Sequence, residues 1–184
     1  LPAKTVAELT ALAKRSPGKL TMGSSGNGSS IHLSGELYKH LAHVSILHVP
    51  YRGGAAALTD LIGGQIDLMF DNLPTSLPHI AKGSLRALAV TSAETWPLAP
   101  DIPPAAQTLP GFEVRSWLGL AAPKGTPDAI VQELNQKLHT ILAQEDTQKA
   151  LAQVGSMAAP SSPEAMQAQI NSEIARWKTV AEQR

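Results

Sequence analysis

The sequence predicts an α/β fold, a mostly parallel sheet flanked by helices. Three features predict it. Short β-rich apolar runs recur through residues 19–91, each closed by glycine, proline or a polar turn. Segments with helical apolar spacing lie between them, and strands alternating with helices build right-handed βαβ units with parallel, buried sheets. The hydrophobic share, 43% of 184 residues with only 16% charged, supplies a sizeable core.

The elements follow in order. Thr5-Val6-Ala7-Glu8 reads as a capping box opening a helix to about Arg15, ended by Ser16-Pro17-Gly18. KLTMG (19–23) is a short strand, and a loop rich in glycine and serine follows it within TMGSSGNGSSIHL (21–33). A helix begins at Ser29 or Ser30, with Leu33, Leu37 and Leu41 on one face. VSILHVP (44–50) is a strand ending at Pro50, and GAAALTDLIGG (54–64) a helix closed by glycines. QIDLMF (65–70) is a strand, PTSLPHIAKG (74–83) a short helix interrupted by proline, and LRALAVT (85–91) a fourth strand.

After Ser92 the pattern changes. Pro97, Pro100, Pro103, Pro104 and Pro110 mark an extended, surface-crossing segment. FEVRSWLGLAAP (112–123) is the longest strand candidate. A helix then opens with Thr126 as N-cap and Pro127 at N1, carrying the apolar stripe Ile130, Leu134, Leu138, Ile141 and Leu142. A second helix ends at Gly155, and a third starts at Ser162-Pro163-Glu164 with Met166, Ile170, Ile174 and Trp177 inward. One strand cannot make a sheet. The last third therefore reads as half of a domain, whereas residues 1–108 read as complete.

Charge and composition exclude several classes. Fifteen basic and 15 acidic side chains give a net charge of zero, against the basic face that nucleic acid requires. No apolar run approaches the roughly 20 residues that span a bilayer. Cysteine is absent, which removes disulfides and thiolate metal sites and suits an oxidising compartment. His40, His43 and His48 do not share a helical face at ligand spacing, so no metal site is expected. The opening LPAKTVAEL lacks the regions of a signal peptide, and any export signal is expected to lie outside these residues.

Three enzyme templates each miss one residue in the glycine loop. Gly23 and Gly28 have P-loop spacing, but Ser29 stands where its lysine belongs. Gly26 and Gly28 begin a dinucleotide fingerprint that ends on Ile31 instead of glycine. A nucleophile elbow on Ser25 would need glycine at position 27, where Asn27 stands. What remains is a loop of small donors at a helix N-terminus, which suits a carboxylate better than a triphosphate. Pro50-Tyr51-Arg52-Gly53-Gly54 and Asp71-Asn72 follow the next two strands in the same topological place, the edge where α/β sheets bind ligands. His32 lies just inside the helix and points either to the loop or to the sheet.

SSGNGSSIHLSGEL, HVPYRGGAAALTDLIGGQIDLMFDNLPTSLPHI, KGSLRALAVTS and APKGTP…IVQELN run in the order of one family. The chain resembles the Bug or TctC-type periplasmic solute receptors of tripartite tricarboxylate transporters, over essentially its whole length. The resemblance implies a periplasmic-binding-protein type II-like fold of two α/β domains joined by crossing strands around a cleft. Residues 1–108 would be the second domain, and 109–184 the crossing strand and helices that complete the first. Carried over residue by residue, the ligand-binding positions are Ser25, Gly26, Gly28, Ser29 and Ser30, then Tyr51, Arg52 and Gly53, then Asp71 and Asn72; Ser24, beside the loop, and His32, just inside the helix, are expected to bind ligand with them. Pro104 and Gln107 depart from the family pattern and fall in the crossing segment.

By this resemblance the protein is periplasmic, catalyses no reaction, needs no cofactor or metal, and hands a small carboxylated solute to membrane transporter subunits. Dicarboxylates, tricarboxylates, amino acids and aromatic acids all suit neutral-donor loops. Two rivals come from other classes: an interaction or sensor module, dimeric through strand edges near 112–123, and a serine-dependent α/β enzyme using Ser25 or Ser29.

Overall fold

In the computed structural model, which describes residues 1–182, the chain forms two compact units, Leu1–Ser116 and a second beginning at Trp117. In the first, helix α1 (Val6–Arg15) is followed by β1 (Thr21–Ser24), α2 (Ser30–Ala42), β2 (Leu47–Pro50), α3 (Gly54–Ile62), β3 (Leu68–Met69) and α4 (Leu73–Ala81). The Thr5 hydroxyl accepts from the Glu8 amide, and the Glu8 carboxylate reaches back to the Lys4 amide rather than to Thr5. The sheet is parallel throughout, in the order β2-β1-β3. Its register sets Met22 beside both His48 and Leu68. Just before β3 the Asp67 amide donates to the Thr21 carbonyl at 3.1 Å, and its carboxylate accepts from the Thr21 amide at 2.8 Å and hydroxyl at 3.0 Å.

Successive strand residues face opposite sides of a sheet. A Cβ added to Gly35 of α2 would overlap Met22, and one added to Gly23 would lie 3.5 Å from Ala57 of α3. Helices α2 and α3 therefore cover the two faces of β1, and the two glycines let backbone and side chain approach closely. The core is centred on Met22, Tyr38 and Phe112, all fully buried. Tyr38, Phe70 and Phe112 form an aromatic triangle with centroids 5.6–6.4 Å apart. The Tyr38 hydroxyl, 2.8 Å from that of Thr10, ties α2 to α1.

Two strands expected from the sequence are not formed. Residues 85–91 contribute one isolated parallel bridge, Val90 to Pro104, and 112–123 contribute no strand at all. Among the described residues, the two runs hydrogen-bond where the Val114 amide donates to the Thr91 carbonyl and the Thr91 hydroxyl to that of Val114. A β-rich run needs a neighbouring strand, and among the described residues none is offered to 112–123. Pro104 is tolerated in its bridge because the bonds there use the Pro103 carbonyl and the Ala105 amide. The intervening segment turns through a short 3₁₀ helix at Ala105–Gln107.

The second unit holds α5 (Asp128–Leu142), α6 (Glu145–Gln153) and α7 (Pro163–Glu182). Pro127, not Thr126, is the N-cap of α5; the Thr126 hydroxyl instead donates back to the Pro123 carbonyl at 2.9 Å. Gly155 follows α6 in the left-handed region, as a helix end requires. The apolar stripe of α5 is not buried: Ile130, Leu134 and Ile141 are 48%, 42% and 48% exposed. On α7, Met166, Ile170 and Trp177 are half-buried and Ile174 is exposed, so that face too is amphipathic in sequence without being covered. Trp117 donates its indole N–H to Glu173 of α7 at 2.9 Å.

Candidate functional site

All three strands run in one direction, so the loops after them open at one edge. The order 2-1-3 puts the reversal of strand connection between β1 and β3, the place where a crevice forms in sheets of this kind. The three loops meet there. A Cβ on Gly26 would lie 3.6 Å from the Tyr51 carbonyl oxygen, and one on Gly54 would lie 3.9 Å from both Asp71 Oδ1 and Ile31 Cδ1. The Tyr51 amide donates to the Ser24 carbonyl at 3.0 Å, joining the first loop to the second.

The first loop is held from within. Ser29 caps α2: its hydroxyl accepts from the His32 amide at 3.2 Å and donates to the Gly26 carbonyl at 2.8 Å. Gly26 and Gly28 have φ of 125° and 77°, a region open to glycine at little cost. The Gly28 amide donates to His32 Nδ1 at 3.1 Å. Ser30 opens the helix, and its carbonyl accepts from the Ser34 hydroxyl. Among the described residues, the Ser25 hydroxyl and the Ser25 and Asn27 amides make no hydrogen bond. They are donors that this loop leaves uncommitted.

Ser24 differs from its neighbours. It is fully buried, with its hydroxyl 2.6 Å from His48 Nε2 and accepting from the Gly26 amide at 3.1 Å. A hydroxyl beside an imidazole resembles a nucleophile and its base, but no substrate reaches a side chain with no exposed surface.

In the second loop the Tyr51 hydroxyl donates to Asp60 at 2.8 Å, a bond that, with burial and the Asp60 charge, raises the phenol above its ordinary value. Tyr51 thus presents its ring, lying against Gly23, rather than a free hydroxyl proton. Arg52 is exposed and has no ion pair among the described residues, and Gly53, with φ 104°, is the N-cap of α3. In the third loop Asp71 accepts from the hydroxyls of Thr75 and Ser76, each at 2.6 Å, while Asn72 is the backbone N-cap of α4 without a side-chain cap bond.

Below the loops lies a polar cluster that sequence reading missed. His32 and His48 stack with centroids 4.0 Å apart. His32 Nε2 is 3.3 Å from Glu36 Oε1, and Lys39 Nζ is 2.7 Å from the same oxygen. Burial, then the neighbouring His32 and Lys39, lower the His48 pKa to about 4. His32, Glu36 and His48 offer ligand atoms within 4.8 Å of one another, the reach of a metal ion. Lys39, however, already stands where a cation would neutralise Glu36. The local signal was present in part: positions 32, 36 and 39 share one helical face. His48 comes from another element, and nothing in linear spacing announces it.

Comparison with known proteins identifies the scaffold. The model of the tripartite tricarboxylate transporter family receptor, TctC, matches residues 1–184. A UPF0065 protein from the tcbD-tcbE intergenic region of Pseudomonas sp. (strain P51) is 40% identical over 177 residues, 95% of this chain and 53% of its own length. Among solved structures, Rpa4515 of R. palustris with adipate superposes with a TM-score of 0.92 at 41% identity, covering 99% of this chain and 61% of that one. MatC (Rpa3494) from Rhodopseudomonas palustris with bound malate gives 0.87 at 33%, covering 97% and 62%. The chain thus spans about half the length of the Pseudomonas relative. The fold is the α/β architecture of periplasmic binding proteins, and the family is one of solute receptors rather than enzymes. The chain belongs to the tripartite tricarboxylate transporter family receptors.

Proposed function

We propose that this chain forms one wall of the cleft of a periplasmic receptor that binds a small carboxylated solute and delivers it to tripartite transporter subunits in the membrane. The observation that carries the proposal is the meeting of three donor-bearing loops at the carboxyl edge of one parallel sheet. Neutral hydroxyls, loop amides at the α2 N-terminus and the exposed Arg52 suit a carboxylate, held directly or through water. Adipate and malate, each a dicarboxylate, occupy two structural neighbours. The ligand contacts proposed are Ser25, Gly26, Gly28, Ser29 and Ser30, with Tyr51, Arg52, Gly53, Asp71 and Asn72; Ser24 and His32 support them from inside.

Residues 1–108 are the second lobe, and 109–184 begin in its core at Phe112 and return to complete the first lobe. The solved neighbours extend beyond the part this chain covers, and the opposite wall belongs to that remainder. Closure of two lobes on the solute supplies most of the affinity. A thermal-shift screen of dicarboxylates, tricarboxylates, amino acids and aromatic acids tests this on the 184-residue chain and on a full-length receptor containing it. A ligand at a hundredfold excess over Kd stabilises by about 2.7 kcal/mol. The full-length protein should respond to at least one carboxylate, and the isolated chain weakly or not at all. An equal response from both would refute the two-lobed cleft, and no response from either would refute carboxylate binding.

A further inference from the structure

A relay of polar contacts runs beneath the glycine–serine loop. The Gly28 amide donates to His32 Nδ1 at 3.1 Å, and His32 Nε2 lies 3.3 Å from Glu36 Oε1. Glu36 is buried at 4% exposure, and Lys39 Nζ, 2.7 Å from the same oxygen, offsets the cost of placing a carboxylate there. A neutral imidazole donates through one nitrogen and accepts through the other. An ionised carboxylate only accepts. The Gly28 amide takes Nδ1 as its acceptor, so a neutral ring carries its proton on Nε2, the nitrogen that faces the Glu36 carboxylate in a 3.3 Å charge contact. His48, stacked at 4.0 Å and bonded to Ser24, closes one face of the same ring.

We propose that Glu36 is the positioning residue of the glycine–serine loop: it fixes the Nε2–H tautomer of His32, which keeps Nδ1 on the Gly28 amide and so sets how the loop presents its donors. That the loop receives an anion is the proposal of the preceding subsection; the role of Glu36 is tested without any ligand, so either can fail alone. Protonation of His32 would put a hydrogen on Nδ1 and release the Gly28 amide. The groups that face this ring are Glu36 and Lys39 on its own helix, His48 from β2 and the Gly28 amide from the loop. Glu36 favours the imidazolium, whereas Lys39 opposes it.

The test is imidazole nitrogen NMR on the 184-residue chain near pH 8, with exchange of the Gly28 amide measured against that of Tyr51, which bonds to the Ser24 carbonyl and not to His32. Wild type should show His32 as the Nε2–H tautomer. Glu36→Gln, which keeps a carbonyl acceptor, should preserve it. Glu36→Met should give a tautomer mixture, with Gly28 exchanging about fivefold or more faster relative to Tyr51, the protection of one hydrogen bond. An Nδ1–H tautomer in wild type, or an unchanged tautomer and exchange ratio in folded Glu36→Met, would overturn the proposal. Should Glu36→Met not fold, the wild-type titration decides. The Gly28-to-Tyr51 exchange ratio must then rise with the midpoint of His32 protonation, and a flat ratio overturns the proposal equally.

Discussion

Gly35 sits in the middle of α2, where glycine costs about 1 kcal/mol relative to alanine. The structure shows what retains it. A Cβ there would overlap Sδ and Cε of Met22 and lie 3.5 Å from Phe70 Cδ2. Met22 has no exposed surface and cannot swing into solvent. Overpacking of this kind costs roughly 1–3 kcal/mol, and the depth of the overlap points to the upper end. After the helix-propensity gain, Gly35→Ala should destabilise by about 2 kcal/mol. Met22→Val removes both overlapping atoms, and in that background the same substitution should stabilise by about 1 kcal/mol. Urea unfolding of the four proteins, read at constant m, closes the cycle with a coupling of about 3 kcal/mol. If Gly35→Ala stabilises the wild type, or acts equally in both backgrounds, α2 does not lie on Met22 as described.

Ser29→Ala should lower stability by about 1 kcal/mol through loss of the α2 cap, and Ser29→Asn should recover most of it in the same urea assay. Ser24→Ala should cost about 1–3 kcal/mol, because it strips a partner from the Gly26 amide and from His48 in a buried place. The depressed His48 pKa gives a pH dependence of definite sign. Between the ordinary 6.5 and the folded value of about 4, the unfolded chain binds the proton and the folded chain does not. Stability should therefore fall as pH drops from 6.5 towards 4, and His48→Gln should flatten that part of the difference curve. A variant whose profile parallels wild type would remove the burial account of His48.

The first three strands and the helices between them were legible because their signals are local. Each apolar run is bounded by glycine, proline or a polar turn, and each helix carries its own spacing. The runs at 85–91 and 112–123 carry the same composition and form no ladder, because a strand is defined by a partner that linear spacing does not supply. Among the described residues, Thr91 and Val114 bond to each other alone. Thr126 lost the N-cap of α5 for a related reason: its hydroxyl found the Pro123 carbonyl, a competitor that the cap pattern does not weigh. At the site, the glycine–serine loop, Tyr51-Arg52-Gly53 and Asp71-Asn72 were recognisable from their place after strands. The groups that hold them were not. Asp60 on Tyr51, Thr75 and Ser76 on Asp71, and His48 on Ser24 act across turns or between elements. Glu36 and Lys39, on the same helical face as His32, lay within reach of a helical-face argument.

The central claim is that a carboxylate sits where the three loops meet. Amide chemical-shift mapping of a full-length receptor containing this chain, titrated with the best carboxylate from the thermal screen, tests it most directly. The account predicts that the largest shifts within these residues fall at 25–30, 51–53 and 71–72, with Met22 and Leu68 in the sheet below little moved. Saturable binding with those three loops unmoved and the shifts gathered elsewhere in the chain would contradict it.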